Sequence, residues 1–137
     1  MEKINYQTAD SMEKSKVLPL YEDAGWTAYT ENSQQLMAAI SKSLRVVGAW
    51  DAGKLVGLIR VVGDGEIILF IQDILVLQDY KRRGIGTNLM KLVMNEFKGV
   101  RQKVLLTEDT EETRGFYEAL GFRSCDDGRM VAFAIQR

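Results

Sequence analysis

Histidine is absent from this sequence, and cysteine and proline occur once each. Without imidazole, neither a Ser/His nor a Cys/His nucleophilic device can be built, and a metal site would depend on carboxylates and one thiol. No metal is expected, and proton handling falls to Asp, Glu, Tyr, Lys, Cys or water. Cys125 alone cannot form an internal disulfide, which suits a reducing compartment; it reads as a buried or half-buried thiol rather than as an acyl-carrying nucleophile. No apolar run is long enough to cross a bilayer and the N-terminus holds no apolar signal region, so the expectation is a cytoplasmic protein without a membrane partner. The formal charge is −1. Beyond Lys81 to Arg83 there is no basic run, so the electrostatic footprint of a nucleic-acid binder is missing. What remains is a chain of 137 residues, 46% hydrophobic, long enough to bury one core and expected to form a single domain over residues 1–137.

The chain is organised around Ile71 to Phe97, IQDILVLQDYKRRGIGTNLMKLVMNEF. Ile74, Leu75, Val76 and Leu77 run without alternation, the pattern of a central strand covered on both faces. After Gly84, the residues Ile85, Leu89, Leu92, Val93 and Phe97 fall at helical spacing, and Gly99 suits a C-terminal cap. Between strand and helix lies Lys81-Arg82-Arg83-Gly84-Ile85-Gly86, whose small residues let backbone N–H groups at a helix N-terminus approach an anion. A solvated basic loop is the simpler account, and a phosphate site the functional one. A nucleotide P-loop is disfavoured because Thr87 follows Gly86 with no lysine between, and a dinucleotide fingerprint because Leu89 stands where a third glycine belongs.

Elsewhere the punctuation is clear. Ile4–Thr8 is a short strand candidate, and Ser15–Ala24 a helix that Pro19 permits only if it lies in the first turn. Asn32 or Ser33 caps a second helix running to about Ser43. Arg45–Trp50 and Lys54–Val62 form a hairpin across Asp51-Ala52-Gly53, and Gly63-Asp64-Gly65 turns the chain into the next strand. Gln102–Thr107 supplies a strand parallel to the central one. Asp109 or Thr110 caps a further helix ended by Gly121, and Phe122–Cys125 with Met130–Ile135 is expected to close the chain as a hairpin around Asp127-Gly128.

Two segments resemble the GNAT superfamily of N-acetyltransferases. Lys81-Arg82-Arg83-Gly84-Ile85-Gly86, directly after a hydrophobic strand, is similar to its acyl-CoA signature Arg/Gln-x-x-Gly-x-Gly/Ala, with Lys81 departing at the first position. Thr110 to Phe122, TEETRGFYEALGF, is similar to its Asn-x-x-Ala-x-x-Phe-Tyr-x-x-x-Gly-Phe segment, matching at Phe116, Tyr117, Gly121 and Phe122, with Thr110 and Thr113 in place of Asn and Ala. The resemblance covers most of the chain and is weakest in the first forty residues. It implies an α/β (α+β) GNAT fold: a mixed, mostly antiparallel sheet of six to seven strands flanked by about four helices. Two parallel strands would splay to admit acyl-CoA.

The same resemblance implies acetyl transfer from acetyl-CoA to a primary amine by direct attack in a ternary complex. It assigns the oxyanion to a backbone N–H at Ile74, freed by a strand bulge, and pairing with the pantetheine arm to backbone at Leu75 and Val76. Backbone of Arg82, Arg83, Gly84, Ile85 and Gly86 would hold the pyrophosphate, with side-chain help from Lys81, Arg83 and Thr87. Tyr117 matches the proton donor to the thiolate, although helical spacing alone makes it a core aromatic. Asp73 is the first candidate for the amine's base, ahead of Glu108 and Glu66, with a water chain or a merely structural Asp73 as alternatives. Tyr21, Trp26 and Tyr29, with the loop around Asp127, would line the acceptor pocket, unless they only cap a hydrophobic surface. A small amine is expected as acceptor, a protein lysine or N-terminus remains open, and a homodimer is a family-level expectation. The alternative function is a non-catalytic acyl-CoA-binding regulatory domain.

Overall fold

The computed structural model describes residues 3–9 and 11–136. Chain contacts divide it into two compact units, residues 1–105 and 106–137.

In the first unit, β1 (Asn5–Thr8) leads to α1 (Lys14–Asp23), the single turn α2 (Thr27–Thr30) and α3 (Ser33–Ser41). Then follow β2 (Arg45–Asp51), β3 (Lys54–Gly63), β4 (Ile68–Val76), a 3-10 turn (Gln78–Tyr80), α4 (Ile85–Glu96) and β5 (Gln102–Leu105). The strands lie in the order β1-β2-β3-β4-β5. The first three pairings are antiparallel and β4/β5 is parallel.

Local chemistry sets these boundaries. Asp51 and Lys54 pair across Ala52 and Gly53, whose φ values of 48° and 91° make a tight hairpin turn of the type that matches strand twist. Asp64 Oδ1 accepts the N–H groups of Glu66, Ile67 and Ile68 at 2.8, 2.8 and 3.0 Å and so fixes the β3–β4 connection. Asn32 caps α3 by accepting from Gln35 N–H at 3.1 Å.

Leu55 to Val61 is buried without a break, so β3 is the central strand. This corrects the expectation for Ile74–Leu77: in β4, Ile71, Asp73 and Leu75 are buried while Ile74 and Val76 are half-buried. A Cβ on Gly57 would come within 3.0 Å of Ile85 Cγ2, which puts α4 on that face of β3. Arg60, three residues on and therefore on the other face, bonds to groups packed beneath α1. Helices thus cover both faces.

Pro19 is the sixth residue of α1, not a first-turn residue. The helix continues past it because Val17, Leu20 and Tyr21 are fully buried. Their burial offsets the missing bond, a defect of about 3 kcal/mol in a helix interior.

The second unit holds α5 (Glu111–Ala119) and a 3-10 turn (Cys125–Asp127). Thr110 caps α5 by accepting from Thr113 N–H at 3.1 Å, and Thr113 Oγ1 accepts from Thr110 N–H at 3.4 Å. The two departures from the family segment therefore form one reciprocal capping box. The expected closing hairpin is not formed. Residues 130–136 have no regular structure, and the sheet has five strands among the described residues rather than six to seven. The alternation in Met130–Ile135 reads as a strand, but a strand exists only with a ladder partner, and this segment has none among the described residues.

Candidate functional site

The β4/β5 ladder ends at Ile71 and Leu105, while β4 continues to Val76. Which peptide groups of β4 face β3 and which face away from it follows from the hydrogen-bond pattern. Gln102 N–H donates to Ile67 O at 2.9 Å, so alternation turns the groups of Leu69 and Ile71 towards β5. Leu77 N–H donates to Val56 O at 2.9 Å, which turns Leu75 and Asp73 towards β3 and leaves Ile74 and Val76 facing away from it. The change of parity needs one extra residue. It is Gln72: Arg60 pairs with Asp73 and Val61 with Ile71, so Gln72 has no counterpart. This bulge turns the amide of Ile74 away from β3, where an unbulged strand would present Asp73.

Beyond β4 the chain enters the basic loop. Arg82 and Gly84 both take the left-handed conformation, at φ 66° and 80°. For Arg82 this is a strained state costing roughly 1–2 kcal/mol. Gly84 caps α4 without any side-chain cap bond, and the helical ladder begins with Asn88 N–H donating to Gly84 O at 2.9 Å. The amides of Ile85, Gly86 and Thr87 thus lie in the first turn, at the positive end of the helix dipole. Ile85, buried against Gly57, fixes where that end sits. Tyr80 braces the loop: its hydroxyl donates to Asp51 Oδ2 at 2.5 Å, and the Arg83 guanidinium lies 4.8 Å from its ring centre. Arg83 also donates to Asp79 O at 2.8 Å. Lys81 and Arg82 are exposed.

On the other face of the sheet, Asp73 is 2% exposed. It accepts from Tyr21 Oη at 2.9 Å, Tyr29 Oη at 3.0 Å and Arg60 Nε at 2.7 Å. Gln72 Nε2 donates to the Tyr29 hydroxyl at 3.2 Å. Burial, followed by the charge of Asp73, pushes both phenols above the ordinary tyrosine range. Burial would weaken the Arg60 charge, but the adjacent carboxylate outweighs it and holds the guanidinium protonated.

The rings of Tyr21, Trp26 and Tyr29 pack edge to face at 5.6 to 5.9 Å. The three aromatics expected around an acceptor are therefore together. Tyr21 is fully buried and its hydroxyl is committed to Asp73, whereas Trp26 and Tyr29 are half-exposed. Glu66 and Glu108 are exposed.

In the second unit, half-buried Tyr117 stacks edge to face with Phe116 at 5.0 Å and Phe122 at 5.9 Å. Burial raises its phenol above the usual value, with a hydrogen bond to Thr107 pulling the other way. Among the described residues, no cluster of three or more carboxylates and thiols is placed to hold a metal, and no helix is long and apolar enough to cross a membrane.

Arg60, Gln72, Asp51 and Tyr80 were not singled out from sequence. A signal existed for Arg60: a lone cation within the apolar run of β3 is almost always paired when buried. The bulge at Gln72 leaves no mark on a single sequence.

A family model described as an acetyltransferase (GNAT) domain matches residues 8–133 and runs across both units. A solved GNAT-family acetyltransferase from Streptococcus pneumoniae is 38% identical, covers 98% of this chain and 99% of its own, and superposes with a TM-score of 0.87. A curated relative from Prochlorococcus marinus, named as an uncharacterized N-acetyltransferase, is 27% identical over 93% of this chain and 70% of its own length. An aminoglycoside N-acetyltransferase solved in complex with CoA shares the fold at 18% identity and a TM-score of 0.70, with 100% of this chain and 97% of its own covered. With the family model spanning nearly the whole length and a relative matched end to end, the chain belongs to the GNAT family of N-acetyltransferases.

Proposed function

We propose that the protein transfers the acetyl group of acetyl-CoA to a primary amine by direct attack. The observation that carries this is a single run of chain, Ile74 to Thr87, which offers an outward amide on a bulged strand and then the first-turn amides of a helix. The first suits a developing oxyanion and the second a pyrophosphate. An added strand-like ligand could pair with the outward groups of Ile74 and Val76, with Leu75 holding the strand against β3. Backbone from Arg82 to Gly86 would carry the phosphates, and Lys81, Arg83 and Thr87 would add charge and a hydroxyl.

Tyr117 is assigned as the proton donor to the departing thiolate. Its raised phenol stays protonated throughout the neutral range, which a donor requires. Asp73, the sequence candidate for the base, already accepts three hydrogen bonds. We therefore assign it the positioning of Tyr29 and Gln72, and the amine's proton to water. Trp26 and Tyr29 would receive a small cationic amine through ring faces, with Tyr21 supporting them from beneath. A cytoplasmic setting, where a lone thiol such as Cys125 stays reduced, fits this chemistry.

The test is thiol release from acetyl-CoA across a panel of small amines and a lysine peptide. Release with small amines, lost in Tyr117→Phe, supports the proposal. Release with the peptide alone would move the acceptor class, and tight CoA binding without release on any acceptor would indicate a regulatory acyl-CoA-binding domain instead.

A further inference from the structure

The bulge at Gln72 has a second effect, on side chains. Neighbouring residues of a regular strand point to opposite faces, yet Gln72 and Asp73 both reach the Tyr29 hydroxyl, at 3.2 and 3.0 Å. The extra residue sets the two side chains on one face. Proton counting then fixes the direction of every bond. The Asp73 carboxylate has lone pairs and no proton to give, so it takes the single phenolic proton of Tyr29. The Tyr29 oxygen is left as an acceptor, and Gln72 must turn its NH2 group to it. The Gln72 carbonyl oxygen consequently faces the other way, on an exposed side chain beside the half-exposed Tyr29 ring that packs on Trp26. What the cluster offers a ligand is therefore a fixed carbonyl acceptor. It offers no free charge: Arg60, its cation, is 6% exposed and bonded to Asp73 at 2.7 Å.

We propose that Gln72 sets acceptor specificity, its carbonyl oxygen taking a hydrogen bond from a second donor group, a hydroxyl or an ammonium, on the amine. This rests on the acetyl-transfer reading above and on Tyr29 lying at the acceptor. Amino alcohols and diamines are then favoured over alkyl amines, which would cover the carbonyl and give it nothing in return. Amines carrying a carboxylate are disfavoured, because their lone pairs meet those of Gln72 while the Arg60 charge is already neutralised. Tyr29 is a positioning residue in this scheme. It holds the amide one way round, so the carbonyl is in place before the ligand arrives.

Thiol release from acetyl-CoA with propanolamine, butylamine and β-alanine, amines of similar length, tests it. Propanolamine should exceed butylamine in kcat/KM by about three- to tenfold, the weight of one neutral hydrogen bond, with the difference in KM and with β-alanine slowest. Gln72→Met keeps the length of an exposed side chain and removes the carbonyl, so the ratio should fall to about one. Tyr29→Phe should lower the ratio as well, and adding it to Gln72→Met should lower it no further, as expected of a residue that acts through another. A second readout needs no turnover. In an NMR titration of the full chain, the side-chain amide signal of Gln72 should shift with propanolamine and far less with butylamine. If no amine releases thiol, the acetyl-transfer reading fails and this titration alone decides the role of Gln72. Equal kcat/KM for propanolamine and butylamine, a preference that survives Gln72→Met, a preference for β-alanine, or equal shifts with both amines would each overturn the proposal.

Discussion

Asp73 shows how one side chain can be fixed by its surroundings. Its two oxygens take bonds from two phenols and a guanidinium, so removing it strands a buried cation. Asp73→Ala should destabilise the protein by about 3–5 kcal/mol in urea unfolding, whereas replacing Arg60 and Asp73 together by apolar residues should cost much less. If the double replacement is as damaging as the single one, the stranded cation is not the cause. Tyr117 carries the opposite kind of prediction. Tyr117→Phe keeps the ring packing against Phe116 and Phe122, so stability and CoA affinity should hold while kcat falls by about 10²–10⁴-fold, the usual weight of a general acid. An unchanged kcat would remove the assigned role. At this scale sequence spoke unevenly. Gly84, Gly86 and Tyr117 carry motif positions, whereas Arg60 and Gln72 act through register, which one chain read in isolation does not display.

Among the elements, glycines decide how closely others approach. Gly63, at φ 132°, ends β3 where a Cβ would lie 2.4 Å from Ile68 O. Gly63→Ala must therefore open the β3–β4 connection and is expected to lower the melting temperature more than Gly53→Ala, whose added Cβ meets nothing within 4 Å although it too has positive φ. Equal losses at the two positions would show that φ alone governs both. The β2–β3 hairpin and the amphipathic helices were legible because turn chemistry and periodicity are local. The identity of the central strand was not, since β3 and β4 are both apolar and only pairing order separates them. Nor was the course of Met130–Ile135, because alternation states a preference and the ladder partner supplies the structure.

For the whole molecule, stability should form a plateau with two edges. Tyr21, Tyr29 and Tyr117 titrate above their ordinary value in the folded chain. Their contribution is complete below about pH 10, where unfolded tyrosine ionises, and is lost as pH rises further. Asp64, held by three backbone amides, and Asp109, bonded to Arg114, titrate below theirs. Their contribution is complete above about pH 4 and is lost as pH falls through the folded values. Melting temperature measured across the pH range should decline at both ends, and the alkaline decline should shrink in Tyr29→Phe. The central claim is that backbone amides between Ile74 and Thr87 grip an acyl-CoA. Isothermal titration of the full chain with acetyl-CoA tests it most directly, with S-acetylpantetheine, which lacks the pyrophosphate, as the comparison ligand, since only the first ligand can engage the first-turn amides of α4. One acetyl-CoA bound per chain, with S-acetylpantetheine bound far more weakly, is the result expected; no heat of binding with acetyl-CoA, or equal affinity for the two ligands, would contradict it.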